Sequence, residues 1–153
     1  MRSVVQRVSR ASVTVEETVV GAIERGVLVF VGVVEGDTEA DAVATAKKIA
    51  GLRIFPSEHK AMDRALADVG GACLVVSQFT LAGVVTKGRR PSFDKAEDPA
   101  LAAPLVERVV AELQALGLEV ATGRFGASMR VELVNDGPAT LLVFTRDGVV
   151  VSV

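Results

Sequence analysis

The sequence has few of the side chains from which enzymes most often build a reactive centre. Its 153 residues include one cysteine, one histidine, and neither tryptophan nor tyrosine. A single cysteine excludes an intrachain disulfide and a cysteine-based zinc site, so a reducing cytoplasm is the expected location. The lone His59, in a polar segment, supports neither a Ser-His-Asp triad nor a metal centre, and we expect it to be a solvated surface residue. Cys73, within an apolar run, is expected to be a small buried side chain.

Charge and hydropathy also lack extremes. The net charge is −2 and the isoelectric point about 5.5, so the chain has no global attraction for nucleic acid and any such contact must be local. No uncharged apolar run approaches the roughly 18 residues of a membrane span, and charges occur too early for a signal peptide. Carboxylates are scattered without the spacing of a paired-carboxylate hydrolase. Neither a Walker loop nor a dinucleotide fingerprint is present.

The chain is instead rich in aliphatic strand and helix patterns. Half of its residues are apolar, and continuous apolar runs at 26–34 and 72–79 predict central strands buried on both faces. Helices are predicted at 38–52 and 98–117, since each follows a capping residue and the second ends before Gly117. Alternating patterns predict shorter strands at 2–8, 12–16, 19–24 (after a turn at 17–18), 118–120, 129–134 and 139–144, with a terminal strand or a loose tail at 148–153.

This order of elements predicts a single α/β domain over residues 1–153. Its core is a mixed, strand-rich sheet with two main helices on one face. Two helices cannot cover both faces of so wide a sheet. We therefore expect the sheet to curl into a barrel-like shape, or a second subunit to cover the remaining face. Residues 145–153 are a possible extra tail.

Polar or backbone-altering residues interrupt two apolar runs, SQFTL at 77–81 and NDGPAT at 135–140. The Gly-Pro step in the second run removes a ladder donor and is compatible with either a tight turn or a cis peptide. Ser77 or Thr80 could act as a nucleophile only with a base within reach, and the sequence offers no obvious one. Both hydroxyls are equally compatible with a plain role at the end of a strand.

A long segment without periodicity, residues 82–98, carries the best basic cluster of the chain. Lys87, Arg89 and Arg90 lie there. Such a cluster is compatible with simple solvation or with a few phosphate contacts. Long ordered loops in compact domains are often functional.

Five motifs in one order resemble the D-aminoacyl-tRNA deacylase family. They are VQRV with ASVTV (residues 5–15), LVVSQFTL (74–81), GRRPSF (88–93), TGRFGASM (122–129) and NDGPAT (135–140). Any one of them is a weak signal, but together they cover nearly the whole chain to about residue 144 and are specific.

The resemblance implies a homodimeric, metal-free and cofactor-free hydrolase with this family's fold. Its substrate would be the ester between a D-amino acid, or mischarged glycine, and the terminal adenosine of tRNA. It would bind the tRNA acceptor end and neither membrane nor DNA. The tRNA's own 2′-hydroxyl would assist, so Thr80 would not accept the acyl group. The implied site residues are Ser77, Gln78, Phe79 and Thr80 (catalytic pocket), Ala127 and Met129 (substrate pocket), Gly137 and Pro138 (cross-subunit Gly-cis-Pro chirality filter), Arg7 and Asn135 (filter support), and Lys87, Arg89 and Arg90 (possible phosphate contacts).

Three departures from the family pattern are visible. Ala139 stands where the family usually has valine, residues 59–68 match only loosely, and 145–153 run beyond the usual end. Two other functions remain compatible with the residues. One is a small-substrate esterase or amidase with Ser77 or Thr80 as nucleophile, and the other is a non-catalytic module that binds RNA ends.

Overall fold

One seven-stranded sheet organises the chain in a computed structural model, which describes residues 1–152. The strands are β1 (Arg2–Val15), β2 (Thr18–Ile23), β3 (Gly26–Gly32), β4 (Ala72–Ser77), β5 (Glu119–Thr122), β6 (Arg130–Arg146) and β7 (Val149–Val151). Their order is β5-β4-β3-β1-β6-β7, and β2 also pairs with β1. Strands β3, β4 and β5 run parallel and the other pairs antiparallel, so the predicted mixed sheet is confirmed.

The two predicted helices are α1 (Glu39–Gly51) and α2 (Pro99–Ala115), and two short 3₁₀ turns occupy Ala67–Val69 and Phe79–Ala82. Helix α2 begins after Asp98, whose carboxylate accepts the Ala100 N–H at 2.8 Å, as expected of a capping acid. Within residues 1–152 no helix combines the length and apolarity needed to cross a bilayer.

Both faces of the central strands are buried, which explains their unbroken apolar runs. Val29 of β3 and Val75 of β4 point into a core shared with both helices, whereas Leu28 and Leu74 point into a second core on the opposite face. A strand with one polar face would alternate in sequence, and these strands do not.

The second core exists because the sheet curls, as expected. Strand β2 folds over it and reaches β5, at the far edge of the sheet. A Cβ atom at Gly21 of β2 would lie only 2.2 Å from the Thr122 carbonyl oxygen of β5. Only glycine permits this approach, so Gly21 allows β2 to pack against β5 and the sheet to curl.

The strand boundaries differ from the sequence prediction in three places. Residues 2–8 and 12–16 belong to one strand, β1, and 129–134 and 139–144 belong to one strand, β6. The Gly-Pro step does not end β6, because β6 pairs with β1 on both sides of it. The first hairpin turns at Glu16–Glu17, both with positive φ, one residue earlier than predicted.

The C-terminal segment is a hairpin strand, β7, and buried polar contacts hold it. Asp41 of α1 is 1% exposed. Its carboxylate accepts the Gly148 N–H at 3.0 Å and the Thr38 N–H at 2.9 Å. Desolvation by burial raises the pKa of this carboxyl, but the hydrogen bonds from Gly148 and Thr38 outweigh it and hold the pKa below its ordinary value.

We expect Asp41→Asn to lower the free energy of unfolding at pH 7 by about 1–3 kcal/mol, the cost of leaving buried partners unsatisfied. The folded-state pKa lies below the unfolded value of about 3.9, so the ionised carboxylate stabilises the fold above that pH. Its contribution is lost as the pH falls through the folded pKa. Urea titrations should therefore give a large difference from wild type at neutral pH and a small one in strong acid.

Asp68→Asn is the matched control. This exposed carboxylate also accepts a backbone N–H, from Ala65 at 2.8 Å, and its loss should cost no more than about 0.5 kcal/mol. Equal losses in the two variants, or a difference that does not depend on pH, would contradict the assignment to Asp41.

Candidate active site

A cleft of about 690 Å³ lies beside the end of β4. Ser77, Gln78 and Phe79 line one side of it, and Ala127 and Met129 line the other. The structure therefore brings together five of the six predicted pocket residues, from two motifs about 50 positions apart in the chain, whereas the sixth, Thr80, is not among the residues that line the cleft.

These motifs meet because they follow neighbouring parallel strands. Strand β4 ends at Ser77 and β5 at Thr122, and the two pair in register with Val75 opposite Thr122. Carboxyl ends of parallel strands share one edge of a sheet, where binding sites commonly form. Gly123 then lets the chain turn tightly under Met129, since a Cβ atom there would lie 2.7 Å from the Met129 sulfur.

Aromatic side chains wall the cleft. Phe79 and Phe125 are 57% and 40% exposed. Phe93 meets Phe79 edge to face with ring centroids 5.1 Å apart. All three line the cleft, half of the six phenylalanines in the chain. Exposed aromatic rings suit a planar base as ligand. The sequence prediction missed Phe93 and Phe125, although both stand inside the motifs GRRPSF and TGRFGASM.

The site lacks the pairing that activates a nucleophile. The Gln78 side-chain amide donates to the Thr80 hydroxyl oxygen. Among residues 1–152, no carboxylate or imidazole hydrogen bonds to the hydroxyl of Ser77 or Thr80. Cys73 is fully buried, and burial raises the pKa of its thiol to about 12, while His59 is exposed on a loop as predicted. A serine or threonine nucleophile requires a nearby base, and none contacts these hydroxyls.

The same part of the chain, residues 1–152, holds no group of three or more histidine, cysteine or acidic side chains placed to bind a metal ion.

A second group of predicted residues forms a bulge on β6. Gln6 of β1 pairs with Thr140 and Val8 with Asn135. Four residues, 136–139, therefore lie opposite Arg7 alone. The Gly137-Pro138 peptide bond is cis, as the resemblance implied, and both residues are exposed. The bulge projects from the sheet.

Hydrogen bonds brace this bulge from below. The Arg7 side chain is 11% exposed, and its guanidinium donates to the carbonyl oxygens of Asp136 at 2.7 Å and Ile54 at 2.6 Å. The Asn135 side-chain amide donates to the carbonyl oxygens of Arg7 at 2.8 Å and Ala139 at 3.0 Å. Arg7 and Asn135 thus tie the bulge to β1 and to itself.

The remaining candidates lie apart from the bulge. Lys87, Arg89 and Arg90 are exposed on an excursion closed by the bridge between Val84 and Ser92. The next residue, Phe93, lines the cleft, so the basic tip is connected directly to the cleft wall. Gly137 and Pro138 are not among the residues that line the cleft of their own chain.

Comparisons with known proteins match almost the whole chain. The family described as D-Tyr-tRNA(Tyr) deacylase matches residues 4–144. A D-aminoacyl-tRNA deacylase of Koribacter versatilis is 59% identical over 146 residues, covering 95% of this chain and 98% of that protein. The solved structure of a c-Myc DNA unwinding element binding protein has a TM-score of 0.89 and 37% identity, covering 95% of this chain and 99% of that one. The solved structure of a probable eukaryotic D-amino acid tRNA deacylase has a TM-score of 0.79 and 19% identity, covering 92% of this chain and 97% of that one. At this identity the likeness is one of fold alone.

Proposed function

The chain belongs to the D-Tyr-tRNA(Tyr) deacylase family and is a D-aminoacyl-tRNA deacylase, and we propose that it sorts enantiomers with main-chain atoms of a second subunit. The terminal adenosine and its ester occupy the cleft beside Ser77. The bulge at Gly137-Pro138 of a partner chain enters that cleft and excludes L-aminoacyl groups. The supporting observation is the braced, projecting bulge, which does not line the cleft of its own chain.

Selectivity on this scale needs a rigid element. L-aminoacyl-tRNA is the abundant correct product, and sparing it a thousandfold takes about 4 kcal/mol. Fitting or missing one methylene in an apolar pocket supplies only about 1–3 kcal/mol. A fixed backbone wall that clashes with an L side chain discriminates more strongly. Glycine has no side chain to clash, so the same filter admits glycine mischarged on tRNA.

Exposed apolar side chains on the sheet support the homodimer. Leu142 is 56% exposed and shares a depression of about 740 Å³ with Val4, Leu81 and Phe144, and charged side chains such as Glu35 and Arg146 also line it. A two-fold axis through this face would make the contact self-complementary. Each subunit would then lend its bulge to the other, and both clefts would be completed together.

The reaction needs no protein nucleophile in this proposal. The 2′-hydroxyl of the terminal adenosine assists attack on the ester, and the protein positions the ester and stabilises the developing negative charge. The first N–H groups of a helical turn have no acceptor inside it. At the start of the 3₁₀ turn these belong to Phe79 and Thr80, beside the cleft, where they serve as the oxyanion donors.

Contact with the rest of the tRNA is local. Lys87, Arg89 and Arg90 are placed near the cleft wall and would meet phosphates of the acceptor end. Three contacts to a single strand predict a log–log salt slope of roughly −2. Such a modest footprint agrees with a net charge of −2 and with a cytoplasmic protein that holds mainly the end of its substrate.

The direct test is deacylation of matched D- and L-tyrosyl-tRNA, and of glycyl-tRNA, in the presence of EDTA. We expect release of D-tyrosine and glycine at rates that EDTA does not change. L-tyrosyl-tRNA should be spared by about a thousandfold, the 4 kcal/mol estimated above. Equal rates for the two enantiomers would overturn the filter, loss of activity with EDTA would indicate a metal, and binding without release would indicate a non-catalytic module.

We expect Arg7→Ala to reduce the ratio of kcat/KM for D- over L-tyrosyl-tRNA by at least about tenfold, because the bulge loses the charge-assisted hydrogen bond to the Asp136 carbonyl oxygen, and with it the link to Ile54. Gly137→Ala should act in the same direction, since its Cβ would lie 2.4 Å from the Ala139 nitrogen. Arg10→Ala, an exposed arginine on the same strand, is the control and should keep the ratio. Unchanged ratios in dimeric Arg7→Ala protein, checked by light scattering, would contradict the proposal.

We expect Thr80→Ala to keep at least about a tenth of the wild-type kcat, whereas removing a true serine nucleophile costs on the order of a millionfold. The Gln78 amide that donates to Thr80 remains in the variant. Ser77→Ala is the companion variant and should also keep at least about a tenth of the wild-type kcat.

A tRNA ending in 2′-deoxyadenosine completes this experiment and should be hydrolysed far more slowly by the wild-type enzyme. Full activity on that substrate, or an acyl-enzyme seen by mass spectrometry, would restore the esterase mechanism with a Ser77 or Thr80 nucleophile.

A further inference from the structure

The first residue of β1 reaches the turn that carries the cleft residues. One guanidinium nitrogen of Arg2, Nη1, donates to the Leu81 carbonyl oxygen at 2.9 Å. Leu81 lies in the 3₁₀ turn that follows Gln78. We propose that Arg2 is a positioning residue for deacylation, which fixes the far end of this turn so that Phe79 and Thr80 face the ester. This inference rests on the function proposed above for the cleft.

Arg2 is suited to this role because its backbone is fixed. It pairs with Gly32 on one side and Phe144 on the other. The preceding α-amino group, at Met1, is buried and donates to an Asp37 carboxylate oxygen at 2.6 Å and to the Thr145 carbonyl oxygen at 2.7 Å. The guanidinium therefore extends from a rigid base.

The turn needs such a support because few other contacts hold its far end. Its start is tied to β3 by the Gln78 N–H, which donates to the Val31 carbonyl oxygen at 2.8 Å. Its side chains at Phe79 and Thr80 are exposed and contribute little burial. Beyond the buried Ala82 and the local bonds of the turn itself, the Arg2 bond is the long-range hydrogen bond to its far end in residues 1–152.

The turn also lies close against β3. A Cβ atom at Gly32 would come within 2.8 Å of both the Gln78 carbonyl oxygen and the Leu81 Cβ. The turn therefore packs directly on the Gly32 backbone, and in this proposal the Arg2 bond holds it there. An active-site shift of about 1 Å can cost a hundredfold in rate, so this restraint bears on catalysis.

The expected effect falls on kcat rather than on KM. Phe125 and Met129, which would contact the adenosine, belong to other segments of the cleft, and only Phe93 touches the turn, through Phe79. The N–H groups of the turn act on charge that develops in the transition state, and losing such an interaction lowers kcat.

The experiment compares Arg2→Ala, Arg2→Lys and Arg2→Gln with Arg64→Ala in the full-length dimer. Arg64 is the matched control, because its Nε also donates to one backbone carbonyl, that of Pro56 at 3.0 Å, and it does not line the cleft. The measurements are kcat and KM for D-tyrosyl-tRNA, thermal unfolding, light scattering, and hydrogen exchange of peptides over residues 77–83.

We expect Arg2→Ala to lower kcat about tenfold, the effect of one charge-assisted hydrogen bond, with KM within about twofold. Lysine keeps a charged donor and should restore kcat to within about threefold of wild type, with glutamine between lysine and alanine. Amide exchange should quicken at 77–83 and not elsewhere. Arg64→Ala should match wild type.

A wild-type kcat in Arg2→Ala, a change confined to KM, or no rescue by lysine would overturn the assignment. So would a lowered kcat that accompanies loss of the dimer, since Arg2 also borders the exposed face near Val4. If the Arg2→Ala protein does not fold, the kcat values of the lysine and glutamine variants still test the prediction, because lysine should retain more activity than glutamine. Absence of D-tyrosine release by the wild-type protein would overturn the proposed function and this inference together.

Discussion

The pairing of β1 with β6 sets the register from which the main features of the molecule follow. The two strands pair on both sides of the bulge, with Gln6 opposite Thr140 and Val8 opposite Asn135, so the four residues 136–139 have to be accommodated opposite Arg7 alone. Three of them, Asp136, Gly137 and Pro138, are exposed and project from the sheet, whereas Ala139 is buried. Arg7 and Asn135 then turn that projection into a fixed shape by hydrogen bonding to main-chain carbonyl oxygens. The register between β1 and β6, more than any single reactive group, creates the bulge that is proposed to recognise the substrate.

The cleft follows from a different rule of sheets. Three parallel strands place their carboxyl ends at one edge, and the loops that leave them must meet there. Residues that pack in the strands, such as Val75, and residues that line the cleft, such as Gln78, are therefore only a few positions apart in the chain. This arrangement explains how the cleft forms an ordered pocket, because its walls are set by the sheet.

Much of this could be predicted from the sequence, because apolar patterning is a strong signal. The apolar runs 26–34 and 72–79 predicted the buried strands β3 and β4, and Asp98 followed by Pro99 predicted the start of α2. The joining of shorter runs into β1 and β6 could not be predicted, since a local Gly-Pro signal says nothing of a partner strand that pairs on both sides. The roles of Phe93 and Phe125 were missed for a related reason. A single aromatic residue in a loop can be assigned to the cleft only when the fold is known, because the fold decides where the loop lies.

The ladder between β1 and β6 also sets an order of events when the protein is made. The partner of residue 2 is residue 144, so the earliest strand to leave the ribosome waits for one of the last. At typical synthesis rates the delay is on the order of ten seconds. During it the paired middle strands β3 and β4, with α1, can form, while β1 has only β2 and β3 as neighbours. Topologies dominated by such distant pairings fold slowly, and the rim that carries Arg7 is therefore expected to be completed last, after the cleft floor.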